Sequence, residues 1–342
     1  MDQAQWQEYL SARGAVWEGN QAHFPDTPAD LHLVDLSPLG SVTVTGPDSQ
    51  KFLQGQLTCD LVNLPDNHST LGAHCNPKGR MISAFRAIKH SQEDFTLLLP
   101  RDLAPIGRDA MAKYAVFFKT KLAEAGESRR WLGLQGKGAI RQAAELLQVP
   151  QLAPGEAAHC QLDDTTILAC ALNEHQLALE VPGESAGALW EKLATVAEAA
   201  GYCHWVAEQV AAGIPQLHAA TSEMFIPQML NLHLLGGVSF KKGCYTGQEV
   251  VARMQYLGAA KRRMYRARCE SGELPAPGSE IVTGDGKSIG NTVEACRSEE
   301  GIELLAVLTI ARVAEEASLK LADGRQLQLQ ELPYDAEADP LA

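Results

Sequence analysis

Residues 1–30 carry Trp6, Tyr9, Leu10 and Trp17 without clear periodicity and predict only a short helix and a loop through Pro25 and Pro28. Beyond them apolar positions begin to alternate, the mark of a half-buried strand. Leu31 to Leu36 and Ser41 to Thr45 read as strands, the second with Val42 and Val44 on one side. Gly46-Pro47-Asp48 turns into a helix with Phe52, Leu53 and Leu57 on its inner side. Thr70 to Cys75 and Met81 to Lys89 form a hairpin pattern across Asn76-Pro77-Lys78-Gly79, whose glycine ends the turn. Phe95 to Leu99 adds a strand, Arg101 to Tyr114 a helix and Val116 to Leu122 a further strand.

Glu124 to Arg130 is a polar break, and a second unit follows it. Strand Trp131 to Leu134, helix Gly138 to Leu147, strands Thr165 to Leu172 and Gln176 to Val181, and helix Glu184 to Ala200 give a β-α-β-β-α order of ferredoxin-like type. From Trp205 the spacing is helical again through Val206, Val210 and Ile214, and Pro215 stops it. After Lys261 the pattern is wholly β. Arg263 to Cys269, Glu280 to Thr283, Gly290 to Cys296, Leu304 to Leu308, Ser318 to Leu321 and Gln326 to Leu332 are short strands between Gly and Pro turns, as in a small barrel. Asp335 to Ala342 is an acidic stretch expected to be disordered.

At 342 residues the chain calls for two or three domains, and its 45% apolar, 21% charged composition is that of a soluble globular protein. No apolar run nears the roughly 20 residues that span a bilayer, and Met-Asp-Gln-Ala-Gln-Trp lacks the basic and apolar regions of a signal peptide. A cytoplasmic protein with no membrane partner is the expectation. The eight cysteines are scattered, with no C-x-x-C pair, so reduced thiols and no bound metal are expected. The net charge of −13 argues against nonspecific nucleic-acid binding by the whole molecule. Residues 241–268, however, hold eight basic residues against Glu249, a net +7 that leaves −20 on the rest. A local positive zone suits an anionic ligand. It reads equally as an ordinary salt-bridged surface.

The densest candidate chemistry is Lys241-Lys242-Gly243-Cys244-Tyr245-Thr246-Gly247-Gln248-Glu249, running on to Arg253. Thr246 and Glu249 have the spacing of a capping box, which makes Thr246 the N-cap of a helix reaching about Tyr256. Val250, Met254 and Leu257 fall on its buried face. Cys244 then lies just outside a helix N-terminus, beside two lysines, where a thiolate is favoured. Gly243 and Gly247 allow positive φ or close approach of a ligand. A half-buried packing cysteine is the plainer alternative.

Lys-Gly-Cys-Tyr-Thr-Gly-Gln-Glu resembles the signature of the YgfZ family, folate-binding proteins linked to tRNA modification and iron–sulfur cluster maintenance and related to the glycine-cleavage T-protein. Further pieces fall in the family's order: Thr45-Gly46-Pro47-Asp48-Ser49 with Gln54-Gly55-Gln56, Ala73 to Met81, Phe225-Ile226-Pro227-Gln228 with Asn231-Leu232, Gly236 to Phe240, and Leu332-Pro333-Tyr334. The resemblance implies an α+β, T-protein-like fold. A folate-binding domain in two segments, 1–122 and 203–258, would enclose an inserted ferredoxin-like domain, 123–202, with a C-terminal β-barrel over 259–334.

The same resemblance implies tetrahydrofolate or a derivative as ligand. Trp205 occupies a position where relatives carry a tryptophan implicated in folate contact, and a core tryptophan is the alternative. Another family tryptophan is replaced by Leu39. Gln228 and Asn231 supply amides for the pterin edge, or are satisfied loop residues. Gly243, Tyr245, Gly247, Gln248, Glu249 and Arg253 complete the expected ligand-binding set. The T-protein's carboxylate pair matches Ser83 and Ala84, neither of which can hold an amine or act as a base at neutral pH. The aminomethyl transfer is therefore not expected here.

What remains is a folate-type cavity lined with a thiol. The resemblance then implies an accessory protein for iron–sulfur enzymes, including those that thiolate tRNA, with Cys244 carrying the essential step and Lys242 stabilising its thiolate. A lone cysteine holds no cluster by itself, since clusters take four thiolates, so partners are iron–sulfur enzymes or assembly proteins. Rival readings are a one-carbon transferase with Cys244 as nucleophile and a direct tRNA-binding module using the basic zone.

Overall fold

A computed structural model describes residues 1–342 except 26, 257, 259, 299, 316, 317 and 339–342. Three β structures organise it. An antiparallel five-stranded sheet has the order His68–Cys75, Met81–Lys89, Asp94–Pro100, Leu39–Thr45, Lys121–Glu124. A six-stranded sheet runs Ala157–Leu162, Thr165–Ala171, Gln176–Pro182, Arg129–Gly136, Leu31–Asp35, Glu198–Ala200, its last strand parallel to its neighbour. Six strands from Arg262–Cys269 to Gln326–Gln330 close a barrel. The expected α+β class, hairpin and barrel are all present.

Several elements depart from the pattern in the sequence. The strand expected over Val116 to Leu122 is only Lys121–Glu124. Val116 and Phe117 are 76% and 81% exposed, while Phe118 turns inward onto Phe52. The helix expected to reach Ala200 is Ala186–Leu193. Thr195 Oγ1 donates to the Lys192 carbonyl there, the kind of local side-chain bond that competes with helix continuation. The chain then re-enters the sheet as Glu198–Ala200. Ala157–Leu162 is a strand that the pattern did not indicate. In the tail, Ala338 N bonds the Asp335 carbonyl and Arg263 pairs with Glu337, while 339–342 lie outside the described residues.

The N-terminus is more ordered than its weak periodicity implies. Asp2 and Gln5 form a capping box for the helix Gln3–Ser11, whose Trp6 and Leu10 are fully buried. Trp6 packs edge-on against Trp190 and donates Nε1 to Asp35 Oδ1 at 3.0 Å. The helix thereby joins the core of the six-stranded sheet, as does the strand Leu31–Asp35. The two sheets and one wall of the barrel share a second core, which takes in Trp205, Val34, Trp131 and Leu99 together with Val293 and Val307 of the barrel.

Asp35 is 1% exposed, and its Oδ2 has no partner. Burial raises its carboxyl to about 6, against the opposing pull of Trp6, Ser37 and Arg130. The folded protein thus holds a proton that the unfolded chain, with an ordinary aspartate near 3.8, releases. Stability falls as pH rises from about 4 to about 6, by at most about 3 kcal/mol. Urea unfolding across that window should show a slope that Asp35→Asn flattens. Identical slopes for the two proteins would contradict the assignment.

Candidate functional site

A narrow cavity lies between the two sheets. One wall is the face of the five-stranded sheet on which Leu71, Arg86 and Leu98 stand in register, with Ala84 two residues from Arg86. The other is made by Leu172, Trp205 and Gln209, and the segment Ile214-Pro215-Gln216 forms its rim. Leu39 and Leu232 complete it. Its empty volume is about 560 Å3, part of it open to solvent.

The cavity wall is held by a chain of amides. Trp205 is 1% exposed, and its ring lies 2.6 Å from where a Cβ on Gly133 would stand, so the glycine makes room for it. Gln176 donates to Gln135 and to the Trp205 carbonyl, Gln209 donates to Gln176, and Gln135 donates to the His204 carbonyl. Gln216 Oε1 is buried without a partner. Ser83 points to the opposite face, against Gly107, so only the Ala84 half of the lost carboxylate pair borders the cavity.

The cysteine loop lies elsewhere. Cys244 is exposed and is the one exposed thiol among the eight, all of them free. It does not line the cavity. The expected thiol-lined pocket is thus not this cavity. Burial pushes Cys59 to about 11 and Cys75 to about 12, so these neighbours of the loop stay protonated at neutral pH. Lys242 is also placed differently from expectation. Its Nζ donates to the carbonyls of Leu57 and Cys59, both at 2.7 Å, and lies 5.3 Å from the Tyr245 ring centre. Burial lowers its ammonium to about 8. The lysine ties the loop to the segment 57–59.

The helix after the cysteine runs Gln248–Tyr256, so Thr246 is not its N-cap. Gly247, at φ +83°, intervenes, and the Thr246 hydroxyl donates to Gln56 Oε1 at 3.4 Å. Glu249 reaches forward to Arg253 at 2.8 Å on the exposed side of the helix, which places that pair and Gln248 outside the cavity. Val251, rather than Val250 and Met254, is the buried residue, and Leu257 lies outside the described residues. Tyr245 is 6% exposed, with its hydroxyl unpartnered.

Gln228 and Asn231 do not border the cavity either. Gln228 Nε2 donates to the Val251 carbonyl at 2.7 Å, and Asn231 Nδ2 to the Met264 carbonyl at 3.1 Å. Their amides fasten the 3-10 turn Pro227–Leu230 to the cysteine helix and to the barrel. The basic zone is neutralised in part. Arg263, Arg266 and Arg268 pair with Glu337, Glu303 and Glu300. Of the residues singled out from sequence, the structure brings Trp205, Leu39 and Ala84 together at the cavity, and it adds Arg86, Gln209 and Gln216.

Residues 3–208 match the GCVT N-terminal domain family. The chain is 33% identical over 321 residues to the tRNA-modifying protein YgfZ of Pectobacterium atrosepticum, covering 92% of this chain and 95% of that one. It is 37% identical over 310 residues to the protein of the same name from Photorhabdus laumondii subsp. laumondii, covering 89% and 92%. Among solved structures, the glycine cleavage system aminomethyltransferase T from Bartonella henselae superposes with a TM-score of 0.78 over 98% of both chains at 19% identity, a likeness of fold.

The two glycines beside Cys244 have different jobs. A Cβ on Gly247 would stand 2.5 Å from the Asn76 carbonyl oxygen at a left-handed φ, whereas one on Gly243 would meet nothing within 4 Å. Gly247→Ala should cost about 2–3 kcal/mol in denaturant unfolding, and Gly243→Ala under about 1 kcal/mol. Equal costs would show that the loop does not rest on the hairpin as described.

Proposed function

The chain belongs to the YgfZ family of tRNA-modifying proteins, and from that premise we propose that it is a folate-binding accessory protein for iron–sulfur enzymes that act in tRNA modification. The observation that carries the reading is the intersheet cavity in a T-protein fold. Trp205, Leu71 and Leu98 give it apolar faces, and Arg86, Gln209 and Gln216 place polar groups at its edges. A pterin needs both kinds of group. The orphaned acceptor of Gln216 fits the N–H edge of such a ring, and the Arg86 guanidinium fits an oxygen. Bound tetrahydrofolate or a derivative would supply one-carbon or redox chemistry. The chain's own residues bind and orient the ring and keep water from it.

Cys244 supports a second, separate task. An exposed thiol on a loop braced by Lys242 is open to a macromolecular partner. The resemblance of its octapeptide to the YgfZ signature supports iron–sulfur enzymes or assembly proteins as that partner. The two rival readings have less support. A one-carbon transferase with Cys244 as nucleophile needs the thiol at the cavity. Direct tRNA binding needs arginines that are not already paired with carboxylates.

Calorimetric titration with tetrahydrofolate should give saturable binding that Cys244→Ser leaves within about twofold, since the serine alters no wall of the cavity. The same variant should fail to restore iron–sulfur enzyme activity in a strain lacking the gene. Binding abolished by Cys244→Ser would put the thiol in the folate site. Full restoration by that variant would remove the thiol from the function.

A further inference from the structure

We infer that Arg86 makes the intersheet cavity anion-accepting: it takes a flat aromatic ligand that presents a carboxylate or carbonyl oxygen to the guanidinium, and it rejects one that presents a cationic amine there. The inference rests on the folate reading of this cavity and deepens it by giving the sign of charge that the wall selects.

The pairing of Arg86 is the first ground. It stands on the cavity face between Leu71 and Leu98, and its one hydrogen bond goes from Nη1 to Ser69 Oγ at 3.2 Å, a neutral partner. Among the described residues no aspartate or glutamate pairs with it. The other group acting on it is the Cys170 thiol, which burial holds above its ordinary range and so uncharged. The buried cations Lys89 and Arg130 are better provided for. Lys89 has Asp66 at 3.3 Å and the carbonyls of Leu61 and Leu64. Arg130 donates to Gln3 and to the carbonyls of Met1 and Asp2. A guanidinium carries five N–H donors and does not shed its charge, so a half-buried one with a single neutral partner is set to receive an acceptor.

The wall around it is the second ground. Arg86 is the one charged residue lining the cavity. Ala84, next to it on the same face, is uncharged, and no aspartate or glutamate is among the lining residues, so Arg86 sets the sign of this strand face. Planar bidentate donation to an oxygen is what arginine does better than any other side chain. The unpartnered Gln216 Oε1 on the rim adds an acceptor for an N–H at another edge of the ligand.

The test is calorimetric titration of the full-length protein with 2-naphthoate and 2-naphthylmethylammonium, flat aromatics of opposite charge, and with tetrahydrofolate. Wild type should prefer the naphthoate by about tenfold or more. Arg86→Met should erase that preference and weaken tetrahydrofolate about tenfold with an unchanged or higher melting temperature, while Arg86→Lys keeps part of both. A preference for naphthoate that needs Arg86, without tetrahydrofolate binding, would sink the folate reading and sustain this one. Tetrahydrofolate binding that Arg86→Met leaves intact would do the reverse. Equal binding of the two naphthalenes, no binding of any probe, or an Arg86→Met loss that tracks a falling melting temperature would overturn the inference.

Discussion

Trp205 can sit where it does because Gly133 has no side chain. The indole lies on the backbone of the strand Arg129–Gly136 at a distance that no Cβ would permit, and the helix Tyr202–Ala211 is drawn down with it. The Gln135–Gln176–Gln209 amide chain then fixes the helix's backbone and one edge of the cavity. A fully bonded buried network of this kind holds one arrangement, since each lost bond strands a polar group away from water. The opposite wall belongs to a different sheet. The space between them is therefore set by how the two sheets meet around the shared core.

A second close contact positions the thiol. Gly79, ending the hairpin turn, and Gly247, before the cysteine helix, lie against each other, and a Cβ on Gly247 would come within 3.2 Å of the Gly79 Cα. Lys242 adds its two carbonyl bonds, and Gln228 ties the far side of the helix down. Cys244 is thus a solvent-facing group on a rigidly seated loop, spatially apart from the cavity. On the proposed reading, the arrangement keeps the ligand apart from the thiol.

Much of the architecture was legible in the chain because it rests on alternation. The hairpin around Asn76–Gly79, the strands Leu39–Thr45 and Asp94–Pro100 and the barrel all follow period-two patterns bounded by Gly and Pro. What was not legible depends on tertiary contact. Trp6 and Leu10 carry too few apolar positions to announce a helix, yet they bury completely against Trp190. Thr246 and Glu249 have capping-box spacing, but Gly247 turns the chain between them. Gln228 and Asn231 read as ligand amides and instead satisfy backbone carbonyls. Nothing in the sequence singles out Arg86, and only the second sheet facing that strand makes it a half-buried cation on a cavity wall. Trp205, Leu39 and Ala84 were the sequence signals that pointed to this cavity.

On the proposed reading, the folate ring and Cys244 occupy different places, and a crystal structure of the protein with tetrahydrofolate would decide it. The ring is expected between Trp205 and the Leu71–Leu98 face, with an oxygen on Arg86 and no contact with the cysteine loop. A ring seated against Cys244, with the intersheet cavity closed, would contradict it.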